Sequence, residues 1–169
     1  MKGHPQAENR SMLGLDTDLS LVLHRSLLLF ERQQLAALAA DADAPLTLTR
    51  LASRGQITAA HIHVMRHLPV EGCRMTTLAA RAAVTKQAMS TAVKQCGVWG
   101  LVSQEADLSD KRASRVQFTA LGLEWRAAFA RAARAAESSF AERIGQDVAT
   151  VTALGLETWV ADGMGQAQE

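Results

Sequence analysis

Thr85-Lys86-Gln87-Ala88-Met89-Ser90-Thr91 carries polar groups suited to the edges of DNA bases. Gln pairs with adenine, Lys with guanine or phosphate, and Ser or Thr with either. On a helix, Lys86, Gln87, Ser90, Thr91 and Lys94 would leave Met89, Val93 and Cys96 for the opposite, apolar side. A helix capped by Thr85 would also turn free N–H groups and the positive end of its dipole toward phosphate. Thr76 and Thr77 open an earlier short segment and offer the same chemistry. Further on, Asp107, Asp110, Lys111 and Arg112 gather charge at one point, and the alternating run Ser114-Arg115-Val116-Gln117-Phe118-Thr119 follows at once.

Other chemistries find less support. His61, His63 and His67 cluster, and His63 and His67 are four apart, the spacing of one helix face. Zinc wants a third and a fourth ligand. His24 or Glu71 would have to be brought in by folding, so no metal is expected. Two cysteines, Cys73 and Cys96, are too few for a disulfide framework, and no CxxC occurs. A reduced, intracellular setting is the default for such a chain. Cys73, next to Arg74, is better placed for sensing an oxidant than Cys96, which falls on the apolar side of its helix, but an inert thiol is the expectation for both. There is no Ser-His-Asp order with a nucleophile elbow, no phosphate loop and no metal-protease motif. Catalytic residues and cofactors are therefore not expected.

The elements that must position these groups are mostly helical. The chain has 169 residues, 48% of them apolar, enough for a real core. Net charge is +1, but residues 57–119 hold eight Lys/Arg against four Asp/Glu, a basic middle, while the remaining segments together hold ten Lys/Arg against thirteen Asp/Glu. Residues 1–14 read as a flexible tail. Asp16 or Asp18 starts a helix to about Ala40, with Leu15, Leu19, Val22, Leu23, Leu27, Phe30 and Leu38 broadly at helical spacing. Pro45 separates it from a short segment, Leu46 to Ser53, broken by Gly55. Thr58 caps a helix ending before Pro69.

Glu71-Gly72 reads as a turn, Thr76 as the cap of a short helix over 77–82, and Thr85 as the cap of a helix to about Cys96. Gly97 should fray that last turn, and Gly100 should end it. Trp99 is bulky for such a place; core packing under the hairpin is favoured over contact with a ligand or partner. Residues 101–104 and 115–118 read as strands about the charged tip. A long alanine-rich helix over 121–144 and a last helix from about Asp147 close the chain. Met1 to Arg10 lacks the apolar core of a secretory leader, and the apolar run 19–29 is short and holds His24 and Arg25. A cytoplasmic protein without a membrane segment is expected.

Helix, tight turn, helix and charged hairpin together make a winged helix-turn-helix. The run Leu78-Ala79-Ala80-Arg81-Ala82-Ala83-Val84-Thr85-Lys86-Gln87-Ala88-Met89-Ser90, then Gly100-Leu101-Val102, Asp110-Lys111-Arg112, Phe118-Thr119 and Gly122 resembles the MarR family of bacterial transcription regulators. The resemblance is specific over roughly residues 57–122. It implies a mainly α fold with a small β hairpin: a winged helix-turn-helix over 57–119, flanked by dimerisation helices over 15–56 and 120–169. It implies a homodimeric regulator, a repressor, on double-stranded DNA with a roughly palindromic operator. Asp110 and Arg112 resemble the wing-tip pair, the carboxylate orienting an Arg that enters the minor groove, with Lys111 and Arg115 on the phosphate backbone.

Leu19, Leu23, Phe140, Leu154 and Trp159 are the dimer-interface candidates. Many relatives respond to small aromatic or phenolic molecules, and His24, Arg25, Phe30, His63 and Arg66 are the corresponding ligand-binding candidates. Alternative readings are a winged-helix protein-interaction module without DNA function and a metal- or oxidant-responsive regulator. The wing assignment has a direct test. Arg112→Ala should lower operator affinity severely in a gel-shift titration while leaving helix content by circular dichroism and the dimer unchanged.

Overall fold

A computed structural model of the chain describes residues 18–106 and 114–165. The tail, residues 1–14, and the wing-tip residues Asp110, Lys111 and Arg112 lie outside the described residues. Seven helices and a three-stranded sheet make up the described fold: α1 (Leu19–Ala40), α2 (Leu46–Ser53), α3 (Ala59–His67), β1 (Cys73–Arg74), α4 (Met75–Arg81), α5 (Lys86–Val98), β2 (Val102–Ala106), β3 (Ser114–Phe118), α6 (Ala120–Ile144) and α7 (Gln146–Gly165).

Local chemistry accounts for most boundaries. Asp18 caps α1, its carboxylate accepting from the Ser20 amide at 2.9 Å. Asp41 ends α1 and binds Arg131 of α6 through Nε at 3.0 Å and Nη2 at 2.7 Å. At Thr58 the backbone N–H donates to Nδ1 of His61 at 3.0 Å, a reciprocal cap in which His replaces the usual Glu. Thr85 Oγ1 accepts from the Ala88 amide at 3.2 Å and starts α5. Between α4 and α5 the chain turns in a Schellman motif, Ala83 N to Ala80 O and Val84 N to Ala79 O, both 3.1 Å. The left-handed position is filled by Ala83 at φ 51°, where glycine is the usual residue.

The sheet order is β1-β3-β2, all antiparallel. β2 and β3 pair from Val102↔Phe118 to Ala106↔Ser114. β1 pairs with β3 through Cys73↔Val116 and Arg74↔Arg115. Glu71-Gly72 forms the expected turn, and the strand that follows it, Cys73–Arg74, was not anticipated. Two residues carry no alternation, and only the distant partner makes them a strand.

Two further expectations need correcting. Thr76 is not a cap: α4 begins at Met75 with Arg74 at the cap position. Gly97 does not fray α5, which runs to Val98 and ends at Trp99. The bonds Gly100 N to Gly97 O and Leu101 N to Cys96 O, both 2.9 Å, hold its final turn.

One core links the winged helix to the long helices. Leu78, Met89, Val93, Cys96, Leu101 and Val116 are buried in the winged helix. Leu38 of α1 and Trp125, Ala128, Phe129 and Ala132 of α6 belong to the same cluster. α6 is therefore rooted in the winged helix at its start and packs along α1 farther on. At its root, Thr119 Oγ1 donates to Gly100 O at 2.6 Å and accepts from the Gly122 amide at 3.0 Å. A Cβ on Gly122 would come within 1.9 Å of the Leu101 carbonyl oxygen.

Backbone has no rotamer by which to escape such a clash. Gly122→Ala should lose about 3 kcal/mol or more in urea denaturation, with the m-value unchanged. Ala83→Gly should gain about 1 kcal/mol in the same assay, because relief of left-handed strain outweighs the entropy of glycine.

Candidate nucleic-acid interface

The apolar side of α5, Met89, Ala92, Val93 and Cys96, is buried. That fixes which side chains face out. Lys86, Gln87, Thr91 and Lys94 are exposed, and Ser90 is half-buried. Gln87, Thr91 and Lys94 follow one helical stripe. Thr91 Oγ1 donates to Gln87 O at 3.1 Å, so its proton is used within the helix while its lone pairs stay open. Thr85 is exposed at the start of the same helix. Thr76 is exposed too, in the first turn of α4. That helix has only seven residues, so little dipole builds up at its start.

Arg115 makes contacts within the protein. Its Nη2 donates to Glu71 O at 2.6 Å and to Gly72 O at 3.1 Å. The guanidinium is engaged with the protein's own backbone at the turn before β1.

Around α3 the histidines divide into two contacts. His61 packs its ring against Trp99, centroids 4.7 Å apart at 52°. Trp99 is half-buried against the core, as core packing would have it. His63 and His67 stack with centroids 5.8 Å apart. Among the described residues, no group of three His, Cys, Asp or Glu stands close enough to hold a metal ion. Cys73 is buried, as is Cys96. Burial raises the pKa of Cys73 against the pull of Arg81 and Arg115. Burial pushes Cys96 up to about 12. Neither supplies the thiolate that oxidant sensing needs.

The ligand-binding candidates lie on α1 (His24, Arg25, Phe30) and α3 (His63, Arg66). Arg66 donates from Nη2 to Gln34 Oε1 at 2.8 Å and lies over the Phe129 ring at 5.6 Å. His63 faces His67, and Phe30 is half-buried on α1. His24 and Arg25 stand exposed on α1, about 15 Å from Gln34 along the helix axis. Sequence reasoning missed Gln34, a polar residue buried to 2% exposure. Its signal was its phase, four residues from Phe30 and four from Leu38 on the apolar stripe.

Of the dimer candidates, Leu19 (49% exposed), Leu154 (57%) and Trp159 (66%) are strongly exposed, while Leu23 and Phe140 are half-buried. Leu19, Leu23, Leu156 and Trp159 line one apolar groove between the start of α1 and α7. Leu156 was not among the candidates. No helix among the described residues is long and apolar enough to cross a membrane.

Residues 56–113 match a sequence profile described as MarR family. No curated protein matches at the sequence level. Solved structures agree along most of the chain. MarR superposes with a TM-score of 0.65 at 14% identity, covering 86% of this chain and 98% of that one. A MarR transcriptional regulator from Methanosarcina mazei Go1 gives 0.64 at 14% identity, covering 86% and 98%. The transcriptional repressor CouR, bound to a 23-mer DNA duplex, gives 0.61 at 20% identity, covering 85% and 92%. Residues 56–113 are thus similar to the MarR family, and the described chain has the winged-helix fold of MarR-type transcription regulators.

Burial lowers the pKa of His61, and burial together with His63, Arg66 and Arg81 lowers that of His67. A depressed histidine is neutral when folded and takes up its proton more readily when unfolded. Its contribution to stability is present above the unfolded pKa, about 6.5, and is lost as pH falls through the folded value. Thermal melts should therefore show Tm falling between pH 7 and pH 5, and His61→Gln with His67→Gln should flatten that fall.

Proposed function

We propose that the protein is a homodimeric, sequence-specific DNA-binding transcription regulator acting as a repressor. One observation carries the reading. α5 is held to the core by its apolar side and offers Lys86, Gln87, Thr91 and Lys94 to solvent on the other. These are groups suited to the major groove. The structural likeness to CouR, whose structure contains a DNA duplex, supports it. In this reading Thr85, Lys86, Gln87, Ser90, Thr91 and Lys94 face the DNA, and Asp110, Lys111 and Arg112 serve the wing tip.

The second copy has its own support. Val148, Val151, Leu154, Trp159 and Val160 of α7 are all more than half exposed, and Leu27 and Leu28 of α1 are as well. An apolar surface of that kind marks an association site. Both helices lie beyond the winged helix, so pairing them would join two DNA-reading lobes.

Selection from random-sequence DNA followed by a salt titration tests the DNA reading. An enriched palindrome with a steep salt slope is expected. Lys86→Ala and Gln87→Ala should each lose about tenfold in affinity and relax the preference beneath them. No enriched site for the wild-type protein would sink the reading. Sedimentation tests the dimer: the wild type should run at twice the chain mass, and Leu19→Glu with Trp159→Glu should run as a monomer with native helix content.

A further inference from the structure

The hairpin β2–β3 is fastened to the helices before it by little regular structure. β1 supplies only the pairs Cys73↔Val116 and Arg74↔Arg115. Two other features act at the same spot. Gly72, at φ 75°, lies so close to β3 that a Cβ there would sit 2.6 Å from the Val116 carbonyl oxygen. Its amide closes the preceding turn on Pro69 O at 2.9 Å. Arg115 then reaches from β3 to that turn, donating to Glu71 O at 2.6 Å and Gly72 O at 3.1 Å.

Glu105 stands opposite Arg115 across the hairpin, yet the hydrogen bonds go to carbonyls. Those carbonyls belong to the segment leading from α3 into β1 and α4. One guanidinium thus joins the descending strand of the hairpin to the entry of the helix-turn-helix.

We infer that Arg115 is a positioning residue, a clamp from β3 onto the Glu71-Gly72 turn that sets the wing hairpin's attitude toward α4 and α5, and not a phosphate contact. The inference rests on the DNA-binding reading for its consequence and on these contacts for its structure. A clamp needs the length and planar donor geometry of Arg, whereas a backbone phosphate contact needs only a nearby positive charge.

Arg115→Lys and Arg115→Ala separate the two roles. Each is measured on the selected DNA site across a salt series, with Lys86→Ala as the reference for a lost direct contact. For a clamp, both Arg115 variants lose about tenfold in affinity and keep the wild-type salt slope. They also lose discrimination at the positions flanking each half-site and keep it at those read by α5. A merely destabilised protein would lose active fraction without that selective change.

The clamp is overturned if Arg115→Lys binds as well as wild type while Arg115→Ala lowers the salt slope by about one, the mark of a phosphate contact. Hydrogen exchange on the free protein gives a readout that needs no DNA. Amides of 73–74 and 114–118 should lose protection in both variants, while those of α1 and α6 keep theirs. Unchanged exchange overturns the clamp, and so does altered exchange with wild-type DNA affinity and selectivity. Should the wild type select no DNA, the regulator reading falls and the exchange data alone decide the clamp.

Discussion

The close approach of α6 to the Leu101 backbone is the constraint on which the other parts depend. No side chain fits between Gly122 and that carbonyl, so α6 starts in direct contact with the bend where α5 becomes β2. Thr119 completes the joint, donating to Gly100 and capping α6 with the same hydroxyl. The end of α5, the start of β2, the end of β3 and the start of α6 are thereby fixed to one another. From that joint α6 carries Trp125 and Phe129 into the core and then continues along α1. The direction of the long helices relative to α5 is set here, within one turn of chain, and a small change in angle would be magnified along 25 residues of α6.

The described surface is divided in a way that a self-sufficient monomer would not need. α5 shows its polar groups and hides its apolar ones, as expected of a helix that meets water or a polar partner. α7 does the reverse: Ala149 is buried, whereas Val151, Leu154 and Trp159 are left outside. At roughly 25 cal/mol per Å² of apolar area removed from water, covering several such side chains is a sizeable driving force. The two surfaces differ in kind: the outer side of α5 is polar, whereas the outer side of α7 leaves large apolar side chains in water.

Much of this was legible because it is local. Asp18 and Thr85 are capping residues whose capping hydrogen bonds reach only two or three positions along the chain. The stripe on α6, from Trp125 through Phe129 to Ala136, follows from helical period alone. What escaped reading depends on distant partners. β1 exists because Val116 and Arg115 come alongside it. Arg115, read as a phosphate contact from its place near the charged tip, is held by carbonyls more than forty positions earlier, and no local pattern encodes that. Gln34 is legible only in retrospect: a polar residue in phase with Phe30 and Leu38 needs a partner, and α3 supplies Arg66.

That last contact bears on how the parts could move. α3 belongs to the winged helix, whereas Gln34 and Phe129 belong to the long helices, and Arg66 touches both. A guanidinium over an aromatic face with one hydrogen bond to a buried amide is a modest, directional attachment. The Gly122 joint is rigid because backbone meets backbone. The Arg66 contact is made by side chains with rotamers to spare, and Arg66 itself remains exposed. A lobe anchored rigidly at one point and adjustably at another pivots about the rigid one. Changes in the angle between the winged helix and the long helices should therefore be governed by the side chains around Arg66 more than by the helix-turn-helix itself.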